Sequence, residues 1–383
     1  MQTLPIKSLI EGAIDVYGAM DFDERGEGIS PRRLPQWTRM QLPDLMDTMV
    51  RMPSGVRLRF ATDATQLGVT LLATNLVTPP AARRAIVCNL EIDGELWAAR
   101  SDLGNTIVLD PDNPGEFELQ RGPEDTFWFE GLPAGMKRCE VWLPHNAFVE
   151  LRGLVIEDGA SVRRAEPEAR PRWIHYGSSI SHCMEADEPG LVWPAVAARQ
   201  AGVALQSLGF GGQCHLDQFV ARTIRDSDAD VISIKTGINI VNADSMRDRV
   251  FAPALHGFLD TIREGKPDTP IMVVSPIYCP SAEDHPGPTL PNAEGKFVTV
   301  QGHREIRFGC MSLTRVRKLI IDVVERRRAA GDANLHYLDG LSLFGEADAQ
   351  DLPDDLHPNP AGYIRMGERF APTLTELVAG EAG

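Results

Sequence analysis

Trp173-Ile-His-Tyr-Gly-Ser-Ser-Ile-Ser181 sets a short apolar run directly against a turn that carries one glycine and two serines. Four more apolar runs follow: Val203-Ala-Leu-Gln-Ser207, Val231-Ile-Ser-Ile234, Ile271-Met-Val-Val-Ser275 and Leu335-His-Tyr-Leu338. Between them the spacing predicts helices near 190–201, 216–226, 246–264 and 311–330, with a last one near 360–378. Strand, helix, strand in this rhythm means a parallel sheet covered on both faces. Ligands of such sheets bind in the loops at the carboxyl ends of the strands, so those loops are where chemistry is to be sought.

Towards the N-terminus the pattern changes. Up to about residue 160 the strand-like stretches are short and punctuated by turns: Val56–Phe60, Gly68–Ala73, Ala85–Ile92, Arg138–Leu143 and Phe148–Arg152. Asp93-Gly94, between Leu90-Glu-Ile92 and Glu95-Leu-Trp97, is a strong hairpin signal. This half reads as an antiparallel, jelly-roll-like β-sandwich. Trp97, Trp128 and Trp142 lie in it and read as core residues. Residues 157–172 are polar and Pro-interrupted with little to bury, which places a boundary there and gives domains 1–165 and 171–383. In the second half, Pro276 to Cys310 is long and rich in Pro and Gly, and reads as a lid. Its His285, His303, Glu283 and Glu305 are assigned no role.

Composition narrows the function. With 383 residues, 43% apolar and 24% charged, the chain has the make-up of an ordinary globular protein, and a formal charge of −16 repels phosphate backbones and anionic membranes. Nucleic acid is therefore not expected as a partner. Arg326, Arg327 and Arg328 read as a solvated helix face near a C-terminus. No apolar run reaches membrane-spanning length and the first residues lack a leader pattern, so a cytoplasmic location is expected. The six cysteines form no CxxC pair and no zinc spacing with histidine, so no metal is expected and most thiols should be buried and reduced; a contact between Cys183 and Cys214 stays open.

Four loops carry the chemistry. The first strand ends in Gly177-Ser178-Ser179, which by itself reads as a turn more readily than as a nucleophile. The second ends in Gly209-Phe-Gly211-Gly212-Gln213, whose glycines let backbone N–H groups approach a ligand, though the spacing is not that of a dinucleotide site. The third ends in Lys235-Thr-Gly237-Ile-Asn239, where the asparagine could cap its own turn or offer an amide to an oxyanion. Before the last helix stands Asp354-Asp355-Leu356-His357; an Asp three residues ahead of a His can fix the imidazole tautomer. His175 reads as paired inside the sheet, and His215 as either a cleft residue or helix-start packing. Trp193 reads as core.

In this order and placement, the four segments resemble the blocks of the SGNH hydrolase superfamily, the GDSL-like lipases and acylhydrolases, over roughly residues 171–375. The resemblance implies a flavodoxin-like three-layer α/β/α domain that needs no cofactor. It also implies Ser179 as nucleophile, His357 as base and Asp354 as its orienting acid, with Ser179, Gly212 and Asn239 forming the oxyanion hole. Ser178 stands where many members have Asp, Ser207 where Asn is common, and Ile238 and Ile240 flank Asn239; none of these is a catalytic position of the pattern. The reaction implied is hydrolysis of a carboxylic ester of a small molecule, an O-acyl sugar among them. An acyltransferase, a thioesterase or lysophospholipase, and a non-catalytic binding protein are the rivals. A homo-oligomer is compatible with the sequence. If Asp354 were lost, a backbone carbonyl or Asp355 could partly take over its task.

Overall fold

The computed structural model describes residues 1–110, 113, 115–300 and 307–380. The chain divides into two compact units, Met1–Glu168 with Asp187–Gly190, and Ala169–Ala186 with Leu191–Gly383.

The first unit is a β-sandwich of an eight-stranded and a six-stranded sheet. Its strands include Arg57–Thr62, Leu67–Val77, Ile86–Ile92, Lys137–Trp142 and Ala147–Ile156, which contain or overlap the five stretches expected from sequence. Alternation buries Leu58, Phe60, Val69, Leu71, Leu90, Val141, Val149 and Leu151 in one core. Asp93 and Gly94, both at positive φ, turn Ile86–Ile92 into Glu95–Ser101. Two details differ from expectation. Leu67–Val77 and Asn105–Leu109 run parallel, because the intervening hairpin belongs to the other sheet and the chain returns to the first one in the same direction. Trp128 is 40% exposed, since its neighbours Phe127 and Phe129 take the inward positions of their strand.

The second unit is an α/β/α sandwich. Its strands are β1 (Arg172–Gly177), β2 (Ala204–Gly209), β3 (Val231–Lys235), β4 (Ile271–Val274) and β5 (Leu335–Leu338). All neighbouring pairs are parallel, and the order is β2-β1-β3-β4-β5. This is the flavodoxin-like order, whose topological switch point lies beside the carboxyl end of β1. The helices are α1 (Ser179–His182), α2 (Trp193–Ala201), α3 (Gln218–Asp226), α4 (Ile238–Asn242), α5 (Asp248–Gly265), α6 (Leu313–Ala329) and α7 (Pro360–Ala379). One face of the sheet is closed by α2 and α7, where Trp173 stacks on Phe370 at 5.5 Å and Trp193 meets the same ring edge-on at 5.4 Å. The other face is closed by α5, whose Phe258 stacks on Tyr176 at 5.3 Å.

Within 276–310 the chain is not structureless: Thr289–Pro291 and Phe297–Thr299 pair as a short hairpin. His303 and Glu305 lie outside the described residues. Glu283 accepts from both terminal nitrogens of Arg317, at 2.6 and 2.8 Å, which accounts for it structurally. All six cysteines are free thiols; Cys183 Sγ donates to Ile180 O and Cys214 Sγ to Lys235 O.

The first helix is held tightly over β2. A side chain at Gly209 would place its Cβ 2.5 Å from the carbonyl carbon of Ser181 and 2.7 Å from the His182 nitrogen, both backbone atoms of α1. Gly209→Ala should therefore destabilise the protein by about 1–3 kcal/mol, as overpacking does. A thermal unfolding midpoint equal to that of the parent would show that α1 can move aside at no cost.

Candidate active site

Strand β1 delivers Ser179 through a sharp turn. Gly177 ends the strand, and extended Ser178 caps α1, its Oγ accepting the Ile180 N–H at 3.3 Å. Ser179 is the first residue of the helix, so its own N–H is among those a helix leaves unpaired at its start. Beneath it lies a buried network. His175 is fully buried, with Nδ1 2.7 Å from Ser233 Oγ and Nε2 2.7 Å from Ser181 Oγ. The Trp173 indole donates to Ser233 Oγ at 2.9 Å. Ser233 can then give its proton to His175 Nδ1, leaving Nε2–H to donate to Ser181. Burial, with Lys235 close by, pushes the His175 imidazole down to about 3, so it is a neutral strut across β3, β1 and α1.

The last loop supplies the second half of the site. His357 Nε2 stands 3.0 Å from Ser179 Oγ, and its Nδ1 is 2.7 Å from Asp354 Oδ2. The other oxygen of Asp354 accepts the backbone N–H of His357 at 2.7 Å and of Leu356 at 3.0 Å. Both carboxylate oxygens are thus fixed by the loop that carries the histidine. Burial would raise the Asp354 carboxyl, but the hydrogen bonds and charge of His357, with the two backbone donors, outweigh it and hold the group below its ordinary value. Asp355, at positive φ, points its carboxylate to Lys296 at 3.2 Å instead. The Phe297 ring meets His357 edge-on at 5.6 Å, and its N–H donates to Asp354 O at 2.9 Å, so the hairpin braces this loop.

The loops after β2 and β3 are joined to each other. Asn239 Oδ1 accepts the Cys214 N–H at 3.0 Å, which leaves its amide Nδ2 as a donor. Gly212, at φ +68°, is exposed, and His215 Nε2 is 3.0 Å from its carbonyl while His215 Nδ1 is 2.8 Å from Ser245 Oγ. His215 therefore fastens the glycine turn rather than facing a reacting atom. Among the described residues no protein acceptor receives the Gly212 N–H. Sequence reasoning missed Glu185, whose Oε1 lies 4.0 Å from His357 Nδ1; no motif marks it, and only the left-handed turn at Cys183 brings it back to the site.

A family model described as GDSL-like lipase/acylhydrolase matches residues 171–282. A second, the SsfX3 N-terminal domain, matches residues 14–152. The second unit is thus a GDSL-like lipase/acylhydrolase domain, preceded by an SsfX3-type N-terminal domain. Among solved structures the chain is similar to the salicylyl-acyltransferase SsfX3 from a tetracycline biosynthetic pathway, with 29% identity over 97% of this chain and 96% of that one, at a TM-score of 0.79. It also resembles a GDSL-like lipase from Bacteroides ovatus ATCC 8483, at 18% identity, 99% and 98% coverage and a TM-score of 0.70. An acetyl xylan esterase, Est2A, from the rumen bacterium Butyrivibrio proteoclasticus shares 12% identity over 99% and 100% of the two chains, at a TM-score of 0.54. The last two are alike in fold alone. No curated protein matches the chain by sequence. No helix of the described residues is long and apolar enough to cross a membrane, and no described group of three or more His, Cys, Asp or Glu side chains is placed to hold a metal ion.

The lowered Asp354 carboxyl makes a stability prediction. A depressed folded value adds stability that is complete above the ordinary value of 3.8 and is lost as the pH falls through the lower folded value. Asp354→Asn should accordingly be less stable than the parent near neutral pH, and the gap should close on acidification below that window. Urea unfolding at several pH values reads this directly; a gap independent of pH would mean that the carboxylate charge is not what stabilises the loop.

Proposed function

We propose that the protein is a serine-dependent acyl-ester enzyme in which Ser179 is the nucleophile, His357 the general base and Asp354 its orienting acid. The observation that carries this reading is the unbroken chain from Ser179 Oγ through both ring nitrogens of His357 to Asp354. A general base must lie within about 2.6–3.2 Å of the proton it takes, and its second nitrogen must be held.

The reaction proposed runs in two steps. Ser179 Oγ attacks the ester carbonyl carbon while its proton passes to His357 Nε2. Charge appears on the carbonyl oxygen and on the imidazole together. The first is met by the N–H groups of Ser179 and Gly212 and by Asn239 Nδ2, and each such donor lowers the barrier by about 3 kcal/mol. The second is met by Asp354. His357 then gives the proton to the departing alkoxide, leaving acyl-Ser179 and a free alcohol. Water, deprotonated by the same histidine, attacks the acyl carbon, and the acid leaves with Ser179 regenerated.

A second reading replaces that water with an alcohol, so that the acyl group is passed on. It is favoured by the likeness to the salicylyl-acyltransferase, which extends over nearly the whole of both chains. Up to acyl-Ser179 the two readings are identical. They part in the product: with 4-nitrophenyl acetate and a panel of alcohols or sugars, a hydrolase yields acetate at a rate the acceptor does not change, and a transferase yields the new ester. The substrate class proposed is a small-molecule carboxylic ester, O-acyl sugars included.

Ser179→Ala should fold as the parent does, lose fluorophosphonate labelling, and lower turnover of 4-nitrophenyl acetate by on the order of 10⁴-fold or more. Ser178→Ala removes only a helix cap, worth about 1 kcal/mol, and should keep the labelling. Labelling that survives in Ser179→Ala and disappears in Ser178→Ala would reverse the assignment. Asn239→Ala should lower kcat by about 10²–10³-fold with little change in KM, the mark of a group that acts on the oxyanion.

A further inference from the structure

His357 faces two carboxylates. Asp354 takes the Nδ1–H at 2.7 Å, and Glu185 Oε1 lies 4.0 Å from the same nitrogen. Glu185 does not arrive there by the swing of a loose side chain. Its other oxygen accepts the hydroxyl proton of Tyr363 at 2.8 Å, and Tyr363 is wholly buried in α7. Burial first, and the Glu185 carboxylate among the groups after it, hold the Tyr363 phenol well above its ordinary value, so it is a fixed donor. The backbone contributes too: left-handed Cys183 ends α1 and reverses the chain, which places Glu185 beside the histidine.

We propose that Glu185, anchored by Tyr363, is a second positioning carboxylate for His357, sharing with Asp354 the stabilisation of the imidazolium formed when Ser179 loses its proton. This rests on the reading of His357 as the general base. It also names the residue that stands in when Asp354 is lost. Asp355 is not that residue, since its carboxylate is paired with Lys296 at 3.2 Å. The ring also meets Ser179 from α1 and the uncharged Phe297 from the hairpin, whose neighbour Lys296 is paired to Asp355. Negative charge thus reaches the imidazolium from two separate segments, 354–357 and the turn after α1. Any loss of that charge must lower its pKa.

The test separates charge from shape. Glu185→Gln keeps an oxygen that accepts from Tyr363 but removes the charge. The His357 ring is followed by NMR titration in a Ser179→Ala background, and the acid limb of kcat/KM is followed with Ser179 intact. Glu185→Gln should lower the His357 midpoint by about one pH unit and move the acid limb to lower pH by the same amount, as removal of a nearby opposite charge does. Tyr363→Phe, which releases the anchor, should move both in the same direction by less. Glu185→Asp should restore most of the shift. In kcat/KM, Asp354→Asn should keep about ten-fold or more of the activity that remains in Asp354→Asn/Glu185→Gln, which should fall to the level of His357→Ala.

A midpoint unmoved by Glu185→Gln, or a double variant no worse than Asp354→Asn, overturns the proposal. The titration is read in protein without its nucleophile, so it judges Glu185 whatever happens to activity. If Ser179→Ala retains turnover while the midpoint shifts as expected, the catalytic assignment fails and the electrostatic one stands. If Glu185→Gln does not fold, Glu185→Asp and Tyr363→Phe carry the same titration.

Discussion

The contact between Ser179 Oγ and His357 Nε2 spans 178 residues of chain, and almost every feature of the second unit bears on it. A separation of 3.0 Å between the first βα turn and the last loop of a domain requires that the sheet between them have one register and one twist. The parallel order β2-β1-β3-β4-β5 supplies the first requirement, because Ser179 leaves at the switch point where neighbouring loops diverge and open a crevice. The pairing of α2 with α7 supplies the second. Both helices pack around Trp173, Trp193 and Phe370 on the same face of the sheet, so the helix that follows His357 is seated on the strand that precedes Ser179.

The second support lies beneath α1. A helix of four residues has no stability of its own, since nucleation alone costs more than its few hydrogen bonds return. Its position is set instead from below, by neutral His175 bridging Ser233 and Ser181, and from beside, by Gly209, which lets β2 come against its backbone. A buried polar network is worth having only when every member is satisfied. Here the indole of Trp173, the two serines and the imidazole satisfy one another. Replacing any one of them leaves a buried donor or acceptor unpaired directly under Ser179.

These elements were legible in the sequence to very different degrees. The five parallel strands and five longer helices stand out, because a strand buried on both faces is a continuous apolar run and a helix covering it has a clear apolar stripe. The two-sheet unit was half legible. Arg57–Thr62 and Ile86–Ile92 announce themselves, whereas Asp21–Glu24, with three acids in four residues, carries no strand signal and is held as a strand by pairing with Ile29–Arg32. Tertiary pairing overrides local propensity there. Asp354, His357, Ser179 and Asn239 could be proposed because each follows a strand or opens a helix in a recognisable block. Glu185 could not. Its place depends on a left-handed cysteine and on a tyrosine almost 180 residues away, and neither has a local signature.

The loop 354–357 makes the same distinction at the scale of one residue. Two adjacent aspartates precede the histidine, and composition gives no ground to prefer either. Geometry does. A carboxylate that orients a base must itself be oriented, or the entropy of holding it is charged against the transition state. Asp354 meets that condition within its own loop: one oxygen takes two backbone N–H groups, which turns the other towards Nδ1. The positive φ at Asp355 is what closes the loop tightly enough for those amides to converge, and it sends the Asp355 side chain to Lys296 on the hairpin. One aspartate is thus spent on the conformation that makes the other useful. The hairpin, through Lys296 and the Phe297 N–H, holds both ends of that arrangement, so a segment remote in sequence helps to decide which acid faces the histidine.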